Sequence, residues 1–210
     1  MVTYLSGERI QGSSAAGDPT AGWTIEGSGM TPNGTTGVFD FADNTSTEYT
    51  AAYDTGSTQG NAWILRCKIY ITSTESSDGC LIIGISDDAT SGGNGNQDFM
   101  GCRVHTPTAN LLRPGSTTGA SAPNTMAHES ITSYTYGIST FYYLEIKRVS
   151  DTSFSFRFTN NSNYTSGGAS GTYTIDAGTV TGLRYIKFLN TAVCTNCAAG
   201  GYSGYIQDIK

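Results

Sequence analysis

Residues 62–86 read AWILRCKIYITSTESSDGCLIIGIS, and the fold is decided here. Trp63, Leu65, Cys67, Ile69 and Ile71 alternate with Ile64, Arg66, Lys68 and Tyr70. Successive side chains of a strand point to opposite faces, so the first set forms a continuous apolar face. The second set forms a mixed face that carries both cations of the stretch. Leu81, Ile82, Ile83 and Ile85 leave only Gly84 without an apolar side chain, which suits a strand buried on both faces. Between the two runs, Thr72 to Gly79 has the Ser, Thr, Asp and Gly of a turn and no helical period.

The same scheme continues outward in both directions. Strands are expected at Trp23–Ile25, Gly37–Phe41 and Glu48–Tyr53 on the N-terminal side. On the C-terminal side they are expected at Phe99–His105, Tyr134–Tyr136, Phe141–Val149, Thr152–Thr159, Tyr173–Ile175, Leu183–Leu189 and Gly204–Lys210. Phe154, Phe156 and Phe158 share one face, with Ser153, Ser155 and Arg157 on the other. TPNGTTG at 31–37 reads as a turn, and 106–130 as irregular, because Pro107, Pro114 and Pro123 exclude a central strand. About ten or more strands, turn signals between them and no amphipathic helix define an all-β, antiparallel β-sandwich of the jelly-roll type. A small closed barrel is the alternative. Residues 1–22 hold too few apolar side chains for a core and are expected to be an extended arm or linker; 23–210 form the domain.

Composition narrows the function. The net charge is -6 and no basic run occurs, which argues against nucleic acid. No apolar stretch approaches the ~20 residues of a membrane-spanning helix. MVTYLSGERIQGSS lacks the basic head and apolar core of a secretory signal. Charged residues are only 13% and glycines number 27, a balance that suits a turn-rich sheet protein outside the cell or on a virion surface. The five cysteines leave at least one unpaired if every bridge is internal. Cys194 and Cys197, in CTNC, form a possible disulfide. Zinc would need two more ligands, and His105 and His128 lack metal-type spacing. Cys67 and Cys102 read as small buried hydrophobes, with a bridge between them as the alternative.

WILRCKIYI at 63–71, LIIGISD at 81–87, QDFMGCRV at 97–104, FYYLEIKR at 141–148, TSFSFRF at 152–158, TGLRYIKFL at 181–189 and the closing GYIQDIK resemble the concanavalin A-like lectin/glucanase superfamily, which includes laminin G-like domains. The start, YLSGERIQGSS, is similar to the starts of environmental virus and archaeal surface proteins that carry such domains. The resemblance implies a jelly roll of two curved sheets that binds glycans on a concave face or rim loops, often with calcium.

The enzymes of that superfamily carry paired carboxylates in an E-x-D-x-x-E strand, which places acid and nucleophile on one face. The motif is absent here. Glu145 is isolated on its strand and is expected to pair with Lys147 two residues on. The reading is therefore non-enzymatic, with a glycoside hydrolase as a distant alternative. Calcium takes six to eight oxygens, and Asp87, Asp88, Asn94, Asn96 and Asp98 offer five side chains on one glycine-rich loop. For sugar contacts the candidates are Tyr53, Tyr134, Tyr136, Tyr164 and Tyr202, with Arg103, Arg113 and Asn110 as polar partners. The expected function is a lectin-like surface protein of a virion or extracellular particle, binding a glycan or host receptor. It is expected to be a homo-oligomer or particle subunit assembled through residues 1–22. The alternative is a purely structural subunit: a capsid, decoration or filament protein.

Overall fold

In the computed structural model the described residues are 22–33, 38–42, 48–74, 80–90, 95–105, 111–119, 122–123, 126–128, 134–165, 167–174, 179–191 and 202–209. They form fifteen strands in two antiparallel sheets, a β-sandwich with strands numbered along the chain. Sheet A runs in the order β1 (Trp23–Glu26), β4 (Glu48–Asp54), β14 (Tyr185–Thr191), β6 (Cys80–Ser86), β7 (Phe99–His105), β8 (Leu111–Thr117) and β10 (Tyr134–Thr135), with β9 (Ala127–His128) also paired to β8. Sheet B runs β13 (Ala169–Thr174), β12 (Ser153–Thr159), β11 (Phe141–Ser150), β5 (Ile64–Thr74), β15 (Tyr202–Gln207), β3 (Val38–Phe41) and β2 (Met30–Asn33).

The two runs of residues 62–86 become the inner strands β5 and β6, one in each sheet. Trp63, Leu65, Cys67, Ile69 and Ile71 are all buried in the main core. They meet Leu81, Ile83 and Ile85 of β6 and Met100, Cys102 and Val104 of β7 in one cluster. Cys67 and Cys102 are free buried thiols, not a bridge. Burial pushes the Cys67 thiol far above its usual range, as expected of an apolar filler. Cys194 and Cys197 lie outside the described residues.

The sheets differ in what lies outside them. Every residue of β6 is buried, and so is every residue of β14 after Tyr185. The cause is a second, smaller core on the outer side of sheet A, made of Cys80, Ile82, Phe99, Met126 and Leu189. Gly84 of β6, Gly101 of β7 and Gly115 of β8 stand in register beside it. A Cβ at Gly84 would meet the Phe99 ring at 2.5 Å and a Cβ at Gly101 at 2.7 Å, so the glycines make the bed on which the ring lies. Sheet B instead keeps a strict alternation: β11 is half-buried or exposed at Phe141, Tyr143, Glu145 and Lys147 and buried at Tyr142, Leu144, Ile146 and Arg148. Those outward side chains are half-buried, with Lys147 exposed.

Two expectations from the prolines change. Leu111–Thr117 is a strand despite Pro114, which is registered against Cys102 of β7. On its other side Pro114 falls between the residues matched by β10 (Leu111, Leu112) and by β9 (Gly115, Ser116), where a missing N–H is best tolerated. Met30–Asn33 pairs with β3 as the last strand of sheet B, so Pro32 occupies an edge.

Candidate functional site

The acidic loop after β6 is a clasp. The Asp87 N–H donates to the Asp98 carbonyl at 3.0 Å, and the Asp98 N–H donates back to Asp87 Oδ1 at 2.9 Å. The Asp98 carboxylate is 8% exposed and accepts from Gly119 N–H at 2.7 Å and from Thr181 N–H at 2.6 Å. It thus ties the loop to the segments that follow β8 and precede β14. Asp88 Oδ1 accepts from Thr90 N–H at 2.7 Å. Burial pushes the Asp87 carboxyl up, with the Asp98 and Asp88 charges adding to it. Asp88 is also penalised by burial, but the Thr90 hydrogen bonds and the Lys187 charge outweigh that and hold it low.

These contacts show what the candidate calcium ligands do in the fold. The oxygens of Asp98 and one oxygen each of Asp87 and Asp88 already accept N–H bonds, while a calcium ion takes six to eight oxygens. Asn96 is exposed with a left-handed φ of 72°, a turn role that Asn tolerates. Asn94 lies outside the described residues. Among the described residues no group of three or more His, Cys, Asp or Glu is placed to hold a metal.

Beside the clasp, Lys187 is buried on the outer side of sheet A and donates to Gln97 Oε1 at 2.5 Å. Burial lowers its amine to about 8, against opposing attraction from Asp88, Glu48, Asp87 and Glu26. This buried amine was not apparent in the sequence, because Lys187 follows an apolar residue in an ordinary strand alternation.

The proposed sugar-contacting residues are not gathered in one place. Tyr136 and Tyr202 are 2% and 0% exposed, with their hydroxyls 3.1 Å apart inside the core. Neither presents a face to a ligand. Tyr53 packs inward on Trp23, with ring centroids 5.3 Å apart. Arg103 is 0% exposed beneath the cover of sheet A, registered against the half-buried Arg113. The Tyr134 side chain and Asn110 lie outside the described residues.

Tyr164, half-buried in the loop after β12, lies against the outer face of sheet B, where strand periodicity sets side chains in rows. Tyr205, Tyr70 and Phe141 stand in register across β15, β5 and β11. Tyr70 and Tyr205 stack at 4.9 Å and 17°, and Phe141 flanks Tyr70 at 4.6 Å. The next row places Lys68 between Gln207 and Tyr143, with the Lys68 Nζ 3.8 Å from the Phe141 ring centre. Tyr164 meets Tyr143 edge to face at 5.6 Å and lies under the Arg66 guanidinium at 5.0 Å. The third row is Arg66, Glu145 and Arg157. Glu145 pairs with Arg66 across the strands at 2.6 Å rather than with Lys147, because directly opposed side chains are closer than same-face neighbours along a strand. The signal was present in the mixed face of β5, but Tyr70, Phe141, Tyr143 and Tyr205 are brought together only by sheet order.

With this geometry in place the likeness to solved proteins can be read. No protein-family model matches the chain, and no curated protein matches it. Solved structures do match. The metal-free carbohydrate recognition domain of Emp46p is 8% identical over 98% of both chains, with a TM-score of 0.57. The legume lectin-like domain from Entamoeba histolytica is 11% identical over 90% of this chain and 89% of its own, at 0.58. The VIP36 exoplasmic/lumenal domain in its Ca2+/Man3GlcNAc-bound form is 11% identical over 90% and 86%, at 0.56. The CBM2 module of the evolved Dit of Lactobacillus casei BL23 phage J-1 is 7% identical over 96% and 94%, at 0.51. The chain has a concanavalin A-like lectin fold.

Proposed function

We propose that the chain is a non-enzymatic, lectin-like glycan-binding module, and that the glycan lies on the outer face of sheet B. The observation that carries the reading is the difference between the two sheets: sheet A is covered by a second core, while sheet B sets half-buried rings and hydrogen-bonding side chains in register on its outer face. A sugar is itself amphipathic, and Arg66, Lys68, Glu145 and Gln207 supply donors and acceptors beside the apolar ring edges. Similarity to domains described as carbohydrate recognition domains supports the same reading. Likeness to a module of a phage protein supports a place on a virion or another extracellular particle.

Three of the described carboxylates are engaged in positioning. Glu145 is paired with Arg66, Asp54 with Arg184, and Asp98 with amide donors. A glycan array tests the function, run with the wild type, Tyr205→Ala and Asp88→Ala. Binding that survives Asp88→Ala and is lost in Tyr205→Ala supports the sheet B surface. Loss in Asp88→Ala alone would move the site to the loop after β6.

A further inference from the structure

Resting on the reading that the outer face of sheet B holds a glycan, we infer that this glycan is anionic, carrying carboxylate or sulfate groups. The first ground is charge. The chain has 17 acidic and 11 basic residues, yet the outward positions of β5, β11 and β12 hold Arg66, Lys68, Lys147 and Arg157 against Glu145 alone. Asp40, registered against Tyr205, borders this strip, and Asp208, beyond the end of β15, adds a second acid whose charge reaches Tyr164 beside Arg66 and Glu145. Glu145 is already neutralised by Arg66. Lys68, Lys147 and Arg157 remain for a ligand.

The second ground is how the rings stand. A neutral sugar stacks on an aromatic face. Here Tyr70 and Tyr205 use their faces on each other, and one face of Phe141 is under the Lys68 ammonium. What the row offers outward is ring edges and phenol hydroxyls. Aromatic edges are the positive end of the ring quadrupole, and hydroxyls donate to anions. Ammonium and guanidinium groups add charge-assisted hydrogen bonds to carboxylate or sulfate oxygens. Same-face residues along a strand are about 7 Å apart, so ring edges, Lys68 and the Arg66–Glu145–Arg157 row form successive contacts along one extended chain. The net negative charge of the whole protein makes such a cationic strip selective, since other surfaces repel the same ligand.

The test is titration of the full chain with polygalacturonate, heparin, neutral dextran, a neutral mannan and oligothymidine at 50 and 200 mM salt. Lys147→Gln, at an exposed position, and Arg157→Gln are run beside the wild type, with melting curves to confirm folding. The expected result is binding to polygalacturonate or heparin, weakened by salt, and reduced roughly two- to five-fold in each variant. Binding of polygalacturonate, which carries carboxylates alone, assigns the carboxylate class; binding of heparin, which carries both groups, without polygalacturonate assigns sulfate. Binding of a neutral polymer without salt dependence would overturn the anionic class and leave the glycan reading intact. No binding to any polysaccharide would remove both. Equal or tighter binding of oligothymidine would make the face a nucleic-acid surface. Acidic-glycan binding unchanged in both folded variants would place the ligand elsewhere.

Discussion

Asp98 joins three segments: its carboxylate accepts from the Gly119 and Thr181 N–H groups, its carbonyl accepts from Asp87 N–H, and its own N–H donates to Asp87 Oδ1. Asp98→Ala removes the charged acceptor of two part-buried N–H groups, a loss of about 1.5–3 kcal/mol. Urea unfolding is expected to show that drop, and chelator or added calcium is expected to leave the midpoint of either protein unchanged. A calcium-dependent midpoint would contradict the clasp. Lys187 gives a second residue-scale prediction. Its amine titrates at about 8 in the folded protein against 10.5 as the ordinary value, because burial disfavours the ammonium. Between those values this group binds more protons in the unfolded chain than in the folded one, so its contribution to stability rises with pH there. From about pH 9 the buried thiols of Cys67, Cys80 and Cys102, and from about pH 10 the phenols of Tyr136 and Tyr164, hold protons in the folded state that the unfolded chain loses, and they turn the net slope downward. The Lys187 contribution is therefore read as a difference: the unfolding midpoint of the wild type minus that of Lys187→Met, which removes the titrating group, should rise from about pH 7.5 to 9.5. Parallel profiles for the two proteins would contradict it.

At the scale of elements, β7 and β6 depend on a bare strip of backbone. Gly84→Ala would drive a Cβ into the Met100 carbonyl at 2.3 Å and the Phe99 ring at 2.5 Å. The cost is expected to be about 1–3 kcal/mol, as for other overpacked cores, read as a lower melting temperature. Substitution at Gly95, which has open space around it, is expected to be neutral. The period-two runs were legible because each strand's inward set is apolar: Leu65, Cys67, Ile69 and Ile71 needed no partner to be recognised. β8 was not legible, since Pro114 argues against a strand until the interrupted pairing on one side is known. Nor was the outer face of sheet B. Tyr205 and Phe141 are 64 residues apart in sequence, and only the β11–β5–β15 order sets them on either side of Tyr70. The tyrosines that looked accessible in sequence, Tyr136 and Tyr202, are hidden because each faces the space between the sheets.

Across the whole molecule the two outer faces differ, and the proposed function assigns recognition to one of them. Sheet A packs Phe99, Ile82 and Leu189 on its outer side, while sheet B carries half-buried rings and cations in rows there. The Gly22 carbonyl accepts the Asp54 N–H at 3.2 Å. Residues 1–21 hold few apolar side chains and are proposed to be an arm, so their deletion is expected to leave the melting temperature within about 1–2 °C. Light scattering on the same deletion tests the assembly role expected of the arm: an unchanged mass would contradict it. The most direct measurement is amide hydrogen exchange with and without a bound acidic oligosaccharide, read strand by strand. Slowed exchange confined to β5, β11, β12 and β15 is the predicted result. Slowed exchange in the loop between β6 and β7, with sheet B unchanged, would contradict the placement of the site.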